Sequence, residues 1–117
     1  MKRIKSILFV LVMATSLIAC GQKTSTEQEQ QYLAVLHLSA GNYEEAIIAF
    51  TAAIDIDPKN VDAYLGRASA YISSGETEEN LASALADYQS VLELDDARAD
   101  AYLGMADAYI RQGNYRE

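Results

Sequence analysis

The chain contains an internal repeat. Residues 61–75 and 99–113 are identical at ten of fifteen positions. A repeat with a period of roughly 20–50 residues is typical of a solenoid, in which each unit buries its apolar face only by stacking on the next unit. We therefore expect the function of this chain to lie in an extended surface rather than in a catalytic pocket.

The first residues differ in composition from all that follow. Three basic residues, Lys2, Arg3 and Lys5, precede a mainly apolar run over residues 7–19. A basic start followed by a short apolar segment is typical of a secretory signal peptide. The run is shorter than the roughly 20 apolar residues that cross a bilayer. We therefore predict that residues 1–19 are a signal peptide.

The segment that ends this run, Leu17–Cys20, reads Leu-Ile-Ala-Cys and resembles the lipobox of bacterial lipoproteins. The resemblance implies that the Cys20 thiol receives a diacylglyceryl group and that cleavage makes Cys20 the first residue. Each buried methylene adds about 0.8 kcal/mol of membrane affinity, so two or more acyl chains give stable anchoring. The alternative is an uncleaved anchor that ends in a buried thiol.

The resemblance to a lipobox also predicts where the protein is located and which cofactors it has. It implies a protein on the extracytoplasmic face of the cell membrane or of the outer membrane. Cys20 is the only cysteine, so its lipidation leaves no disulfide and no redox centre. We expect no cofactor other than the covalent lipid on Cys20.

A polar and acidic stretch follows Cys20. Residues 21–31 contain no aliphatic or aromatic side chain, so we predict a solvated tether over residues 20–29 and a helical array over 30–117. The alternative is that the second half of this stretch already belongs to a helix. Loss of the three basic residues with the leader changes the net charge from −8 to −11. Such a surface repels phosphate backbones, so no nucleic-acid partner is expected. Solubility explains this acidity better than a specific basic ligand does.

From about residue 30 onwards, apolar residues recur at helical spacing. Turn-forming residues interrupt them and predict five helices, with room for the start of a sixth. Asn42 with Glu45 three positions later has the arrangement of a capping box at the start of a helix. The predicted breaks lie at residues 41–42, 57–60, 75–77, 95–96 and 113–114.

This pattern resembles the tetratricopeptide repeat family. The resemblance implies an all-α solenoid of about two and a half helix-turn-helix units, over residues 27–60, 61–98 and a truncated 99–117. The residues that carry it are Gly41, Asn42, Tyr43, Glu44, Glu45, Ala46, Phe50, Ala53, Asp57 and Pro58 in the second half of one unit, and Tyr64, Arg67, Ala68, Tyr71 and Gly75 in the first half of the next.

The resemblance also assigns packing positions. It implies that His37, Tyr71 and Tyr109 share one of them, so we expect His37 to pack and not to act as a catalytic base. Of the eight tyrosines, only Tyr32 falls outside such positions, and the others are expected in the core. Small residues at helix crossings are Ala34, Ala68 and Ala106 in first helices and Ala46 and Ala84 in second helices, with Phe50 and Tyr88 as bulky partners.

Two features depart from the family pattern. The second repeat is longer than the usual unit of the family, and the extra residues, within 76–81, lengthen either the turn or the start of the next helix. Residues 114–117 (Asn-Tyr-Arg-Glu) are similar to residues 42–45 (Asn-Tyr-Glu-Glu), which predicts that another second helix begins there. We therefore expect the sequence to be the start of a longer protein, whose next helix would cover Tyr102, Met105, Ala106 and Tyr109.

Motifs of catalysis and of metal binding are not found in this sequence. It has no glycine-rich phosphate loop, no Cys-x-x-Cys and no His-x-x-x-His. The paired carboxylates Asp55/Asp57 and Asp95/Asp96 do not follow the order of a calcium loop and are interpreted as solvated turn residues. We expect neither catalytic residues nor metal ligands.

In tetratricopeptide arrays the first helices of successive repeats line a concave face that binds peptides. The corresponding positions here form an aliphatic surface with acidic edges, suited to an apolar peptide that carries Lys or Arg. The alternative is that its Leu and Ile side chains are buried between helices and bind no ligand. This first-helix surface consists of Val35, Leu38, Asp62, Leu65, Ser69, Ile72, Ser73, Asp100, Leu103, Asp107, Ile110 and Arg111.

Together these features favour a membrane-anchored, extracytoplasmic scaffold for protein–protein interactions, without catalysis of its own. The expected partner is a protein or peptide, and no small-molecule substrate is expected. Two alternatives remain: the N-terminal docking region of a longer envelope or cell-wall enzyme, and a lipoprotein that captures peptides or sugars.

Overall fold

The computed structural model describes residues 26–116, and within them it contains five α-helices and no strand. Helix α1 covers residues 26–39, α2 Tyr43–Ile56, α3 Val61–Ser74, α4 Glu78–Leu94 and α5 Ala99–Arg116. Each helix from α2 onwards packs against the next along the chain. The predicted all-α solenoid of two and a half helical pairs is confirmed. The predicted signal peptide and Cys20 lie outside the described residues.

Helix α1 begins earlier than the sequence indicates. Residues 26–29 are helical, so the last four residues of the predicted tether belong to the array, and the prediction is wrong there. A contact with the next repeat explains this, because Glu27 accepts a hydrogen bond of 3.0 Å from the side chain of Asn60. Polar composition alone does not distinguish such a helix from a solvated segment.

The break predicted at residues 113–114 is also wrong, because α5 continues through Gly113 to Arg116. A glycine ends a helix when it takes a left-handed backbone conformation. Gly41 does so, with φ of 80°, in the turn between α1 and α2, whereas Gly113 remains helical.

Two helices begin with side-chain caps, and a third does not. The Asn60 side chain accepts a hydrogen bond of 3.0 Å from the Ala63 amide, and Thr77 caps α4 in the same way. The capping box predicted at Asn42 is not formed, since its side chain makes no capping bond. The backbone of Asn42 has ψ of 71°, compared with 92° at Asn60 and 155° at Thr77, so the two residues that cap lie nearer to the extended conformation.

The extra residues of the second repeat lie at the start of α4. Helix α4 has 17 residues, whereas α2 has 14. Ala46 is the fourth residue of α2, but the corresponding Ala84 is the seventh residue of α4. The insertion therefore adds almost one helical turn to α4 itself.

The interior is built largely from alanine, which lets helices cross at short distance. Four of the predicted crossing residues, Ala34, Ala46, Ala68 and Ala84, are fully buried. One cluster joins α1, α2 and α3 around Phe50, and a second joins α3, α4 and α5 around Tyr88. The first cluster consists of Ala34, Ala46, Ala49, Phe50, Ala53, Ile54, Ala63 and Ala70, and the second of Ala68, Ala84, Tyr88, Val91 and Ala101.

Helix α5 does not follow the core pattern. Tyr102 and Tyr109 are 53% and 56% exposed, and Ala106 is exposed too, as expected of side chains that only a following helix would cover. Within the described residues α5 packs mainly against α4, and no helix covers its other side. His37 is half-buried in α1, as expected of a packing residue.

A ring placed against a glycine connects each second helix to the following first helix. A Cβ atom on Gly66 would collide with the ring of Phe50, and one on Gly104 would collide with the ring of Tyr88. The two pairs occupy equivalent positions of successive repeats. Only glycine allows the aromatic ring to lie directly on the helix backbone, so these glycines fix the spacing of the stack.

One buried ion pair is not repeated. Arg67 in α3 donates two hydrogen bonds to the Asp87 carboxylate in α4, of 2.9 and 2.7 Å, and a third of 3.1 Å to Thr51 in α2. Asp87 is only 4% exposed. Burial raises the pKa of Asp87, and the hydrogen bonds and charge of Arg67 oppose that rise. Asp87 in turn raises the pKa of Arg67.

Gly104→Ala tests the ring–glycine contact. Alanine in place of a helical glycine normally stabilises by about 0.5–1 kcal/mol. At Gly104 we expect the opposite, a loss of about 1–3 kcal/mol, because the new Cβ falls on the Tyr88 ring. Gly113→Ala is the matched control in the same helix, where a Cβ meets nothing within 4 Å, and it should stabilise. Urea unfolding followed by circular dichroism measures both, and equal stabilisation would contradict the contact.

Arg67→Met tests the ion pair, using the residue that stands at the equivalent position, Met105. The variant leaves Asp87 buried without its cation, which should cost about 3–5 kcal/mol at neutral pH. The double variant Arg67→Met/Asp87→Ala imitates Met105 and Ala49 of the other repeats, and should recover most of the loss.

The stability of the Arg67→Met variant should also depend on pH, because the protonation of Asp87 changes the cost of its burial. Loss of the cation raises the folded-state pKa of Asp87 further above its unfolded value. The stability of the variant should therefore be highest below the unfolded pKa and fall as pH rises through the folded pKa. Urea unfolding in acidic and in neutral buffer measures this trend. A loss of stability that is independent of pH would show that the carboxylate is not the cause.

Candidate binding surface

The twelve residues of the first-helix surface lie on α1, α3 and α5, and none is fully buried. Val35 and Leu38 belong to α1, residues 62–73 to α3 and residues 100–111 to α5. The surface mixes exposed and half-buried side chains. This accessibility is required of a surface that binds a ligand.

The aliphatic residues of this surface differ between repeats. Leu65 and Ile72 of α3 are half-buried and pack against the second core cluster. Leu103 and Ile110, at the same positions of α5, are 72% and 64% exposed. The alternative that these aliphatic side chains are buried between helices therefore applies in part to Leu65 and Ile72, but it does not apply to Leu103 and Ile110. The apolar area open to a partner is concentrated on α5.

One edge of the surface is formed by the residues just before α3 and α5, which occupy equivalent positions. Asn60 reaches back to α1, donating to Glu27 at 3.0 Å and to Gln31 at 2.8 Å. Arg98 lies 3.9 Å from Asp62 of α3 and pairs with Asp100 at 2.7 Å. Hydrogen bonding to Arg98 lowers the pKa of Asp100. Each of these two residues thus links successive first helices.

At the opposite edge Arg111 contacts two carboxylates. It donates to Asp107 at 2.8 Å, one helical turn earlier, and pairs with Glu76 in the turn after α3. Arg98 and Arg111 are therefore both already paired, and the carboxylates around them outnumber them. The electrostatic character of the surface is acidic.

The edge residues Asn60, Arg98 and Glu76 are absent from the set chosen by sequence reasoning. Asn60 and Arg98 could have been identified by their position in the sequence, because each directly precedes one of the two similar segments of the internal repeat. The side chains that Asn60 and Arg98 reach on the preceding first helix are distant in the sequence, and only the packing of the helices identifies them.

A shallow, open depression lies at the α1 end of the array. It is lined by Gln28, Gln31, Tyr32 and Val35, all on one helix. Tyr32, the one tyrosine outside the packing pattern, is 65% exposed there. The depression adjoins the first-helix surface at Val35 and is open to solvent.

Between residues 26 and 116 no group of three or more His, Cys, Asp and Glu side chains is arranged to hold a metal ion. Over the same residues, none of the helices combines the length and apolarity needed to cross a bilayer.

Comparison with protein families agrees with this geometry. A model described as a TPR repeat matches residues 36–75, and a model described as a tetratricopeptide repeat matches residues 77–117. The chain carries tetratricopeptide repeats. Such repeats generally mediate protein–protein interactions and scaffolding. No curated protein sequence matches the chain at a significant level.

Asn60→Asp tests the link between α1 and α3 in this tetratricopeptide array. Aspartate keeps the cap on Ala63, but it cannot donate to Glu27, and it adds a negative charge beside Glu27. The Gln31 amide can rotate and donate to the new carboxylate, so the variant tests the bond to Glu27. We expect α1 to open more readily while α3 remains capped. Cleavage after Glu29 by a glutamyl endopeptidase measures this opening and should become faster.

Two alanine variants provide the controls. Asn60→Ala also removes the cap, which should cost a further ~1 kcal/mol in urea unfolding. Asn42→Ala removes no capping bond and should leave both the cleavage rate and the stability nearly unchanged. Equal cleavage of wild type and Asn60→Asp would show that the bond donated to Glu27 does not hold α1.

Proposed function

We propose that this protein is a lipid-anchored, extracytoplasmic scaffold that holds a protein partner on its first-helix surface and performs no catalysis itself. The observation that supports this most directly is the exposed aliphatic pair Leu103 and Ile110 between edges of paired charges. Apolar side chains bordered by polar groups are typical of a surface that recognises a protein segment.

The chemistry of the surface defines the partner. Leu103 and Ile110 offer apolar contacts to an extended or helical peptide. Asp62, Asp100 and Asp107 favour Lys or Arg beside those apolar residues, because they attract basic groups and repel acidic ones. A net charge of −8 for the whole chain disfavours nucleic acid as the partner.

The anchor is proposed from the sequence. The basic start, the apolar run and the Leu-Ile-Ala-Cys segment support lipidation of Cys20. Residues 20–25 would then connect the lipid to α1. Tethering at a membrane raises the effective concentration of a partner in the same membrane, so weak contacts at the repeats would suffice for association.

Site-specific photo-crosslinking in native cells tests the partner surface. A photoreactive residue in place of Ser69, on the first helix α3, should capture one recurrent protein. The same residue in place of Gln89, which is exposed on the second helix α4, is the matched control and should not capture it. Equal capture from both positions, or none from Ser69, would contradict the proposed surface.

The substitutions Leu103→Ser and Ile110→Ser test the role of the aliphatic pair. Both side chains are mostly exposed, so the variants should keep the fold within about 0.5 kcal/mol. The double variant should lower crosslinking at Ser69 at least about tenfold, which corresponds to ~1.4 kcal/mol of binding. Unchanged capture in a folded variant would exclude these residues from the binding surface.

Cys20→Ser tests the anchor independently of the partner. Metabolic labelling with a radioactive fatty acid should mark the wild-type protein and not the variant. The variant should also keep its leader and lose the lipid-dependent membrane attachment. Labelling that persists in Cys20→Ser would refute lipidation at this residue, and unlabelled wild-type protein would refute the anchor.

A further inference from the structure

The two aromatic rings that lie on glycines differ by one hydroxyl group. Phe50 of α2 lies on Gly66, and Tyr88 of α4 lies on Gly104 at the equivalent place of the next repeat. The hydroxyl oxygen of Tyr88 is 2.7 Å from the position that a Cβ atom on Gly104 would take. A polar atom of a second helix therefore reaches the backbone of the first helix α5, whereas Phe50 brings only carbon atoms to α3.

The Tyr88 hydroxyl lies beside two residues of the first-helix surface. Asp107 follows Gly104 by three positions, so their Cβ positions are about 5–6 Å apart on one face of α5. Burial raises the pKa of Tyr88, a hydrogen bond with Ser69 of α3 opposes that rise, and nearby carboxylates, Asp107 foremost among them, add to it. Ser69 and Asp107 are both exposed. We call Ser69, Tyr88 and Asp107 the Tyr88 site.

The equivalent place between α1 and α3 has a different chemistry, and we call it the Phe50 site. It consists of Val35, Phe50 and Ser69, which stand where the Tyr88 site has Ser69, Tyr88 and Asp107. Val35 is 48% exposed. Along the first-helix surface the row Val35, Ser69 and Asp107 therefore changes from apolar to acidic, and the two sites differ in what they can bind.

Negative charge dominates at the Tyr88 site. Asp107 accepts a hydrogen bond of 2.8 Å from Arg111 through Oδ2, and no described residue donates to its Oδ1. Arg111 also pairs with Glu76, so one cation serves two carboxylates. An ionised carboxylate only accepts hydrogen bonds, and a phenolic oxygen can accept one too. The site is therefore suited to a side chain that carries positive charge and several N–H donors, and it repels an acidic side chain.

We propose that the Tyr88 site binds a Lys or Arg side chain of the protein segment that docks on the first-helix surface, and that the Phe50 site contacts an apolar residue of the same segment. The Tyr88 hydroxyl accepts a hydrogen bond from the basic group, while Asp107 supplies the opposite charge. This proposal rests on the function proposed above and adds to it a residue of a second helix. The order of the segment is then fixed, with its apolar residue towards α1 and its basic residue towards α5.

Peptides selected from a random library displayed on phage provide the probe, because their selection does not require the native partner. The purified protein is the target, and peptides that bind the double variant Leu103→Ser/Ile110→Ser at least about tenfold more weakly occupy the first-helix surface. Among these peptides we expect Lys or Arg at one position, near apolar residues. Replacing that basic residue by Gln in a synthetic peptide should weaken binding at least about tenfold, measured by isothermal titration calorimetry.

Tyr88→Phe tests the hydroxyl group while the ring remains on Gly104, as Phe50 does on its own glycine. The variant should bind the basic peptide about tenfold more weakly and should bind the Gln peptide as well as wild type does. Tyr102→Phe removes a hydroxyl outside the first-helix surface, so this matched control should change neither affinity. Urea unfolding of both variants confirms that they remain folded.

Two charge variants use residues that the repeat itself supplies. Asp107→Ser copies Ser69 and should weaken the binding of the basic peptide at least about tenfold. Arg111→Ser copies Ser73 and releases Asp107 from its internal cation, so it should strengthen the binding of the basic peptide about threefold.

The opposite outcomes separate this proposal from the function on which it rests. Selected peptides without a preference for Lys or Arg would leave the proposed surface intact and refute the Tyr88 site. The site is equally refuted if Tyr88→Phe weakens the basic peptide and the Gln peptide by the same factor, or if Arg111→Ser weakens the basic peptide. Failure to select any peptide that depends on Leu103 and Ile110 would contradict the proposed function, and the Tyr88 site with it.

Discussion

The contact between an aromatic ring and a glycine backbone sets the spacing of this array. Phe50 on Gly66 and Tyr88 on Gly104 bring each second helix against the following first helix, at the period of the repeat. Alanine at the crossing points then allows close approach on the other side. The fold depends on these short distances because its interior contains few large side chains. Its stability is accordingly a sum of contacts between neighbouring helices.

The same stacking creates the surfaces available for binding. First helices align, so their residues at equivalent positions form rows, and Asn60 and Arg98 join successive members of a row at one edge. Where a following helix is present, as on α3, the aliphatic residues of the row are half-covered. On α5 they are open. The gradient of exposure from α3 to α5 is thus a direct consequence of a stack in which each helix is covered only by its neighbours.

Most of the fold could be predicted from the sequence, because periodic apolar residues and turn formers are local signals. Alanine at Ala34 and Ala68 and rings at Phe50 and Tyr88 were also predictable from the repeat. The Arg67–Asp87 pair was not, since it occurs once and joins two different helices. The break predicted at Gly113 is wrong because Gly113 keeps a helical backbone, and composition does not reveal which glycines leave that conformation. The row of site residues was predictable, but the contacts at its edges depend on tertiary packing.

Hydrogen exchange of backbone amides in the native protein tests whether each helix is stabilised by its neighbours. Helices α3 and α4 are covered by helices on both sides, whereas α5 packs mainly against α4. We expect the slowest exchange in α3 and α4 and clearly faster exchange in α5, by local opening. Uniform exchange through all five helices, or slowest exchange in α5, would contradict it.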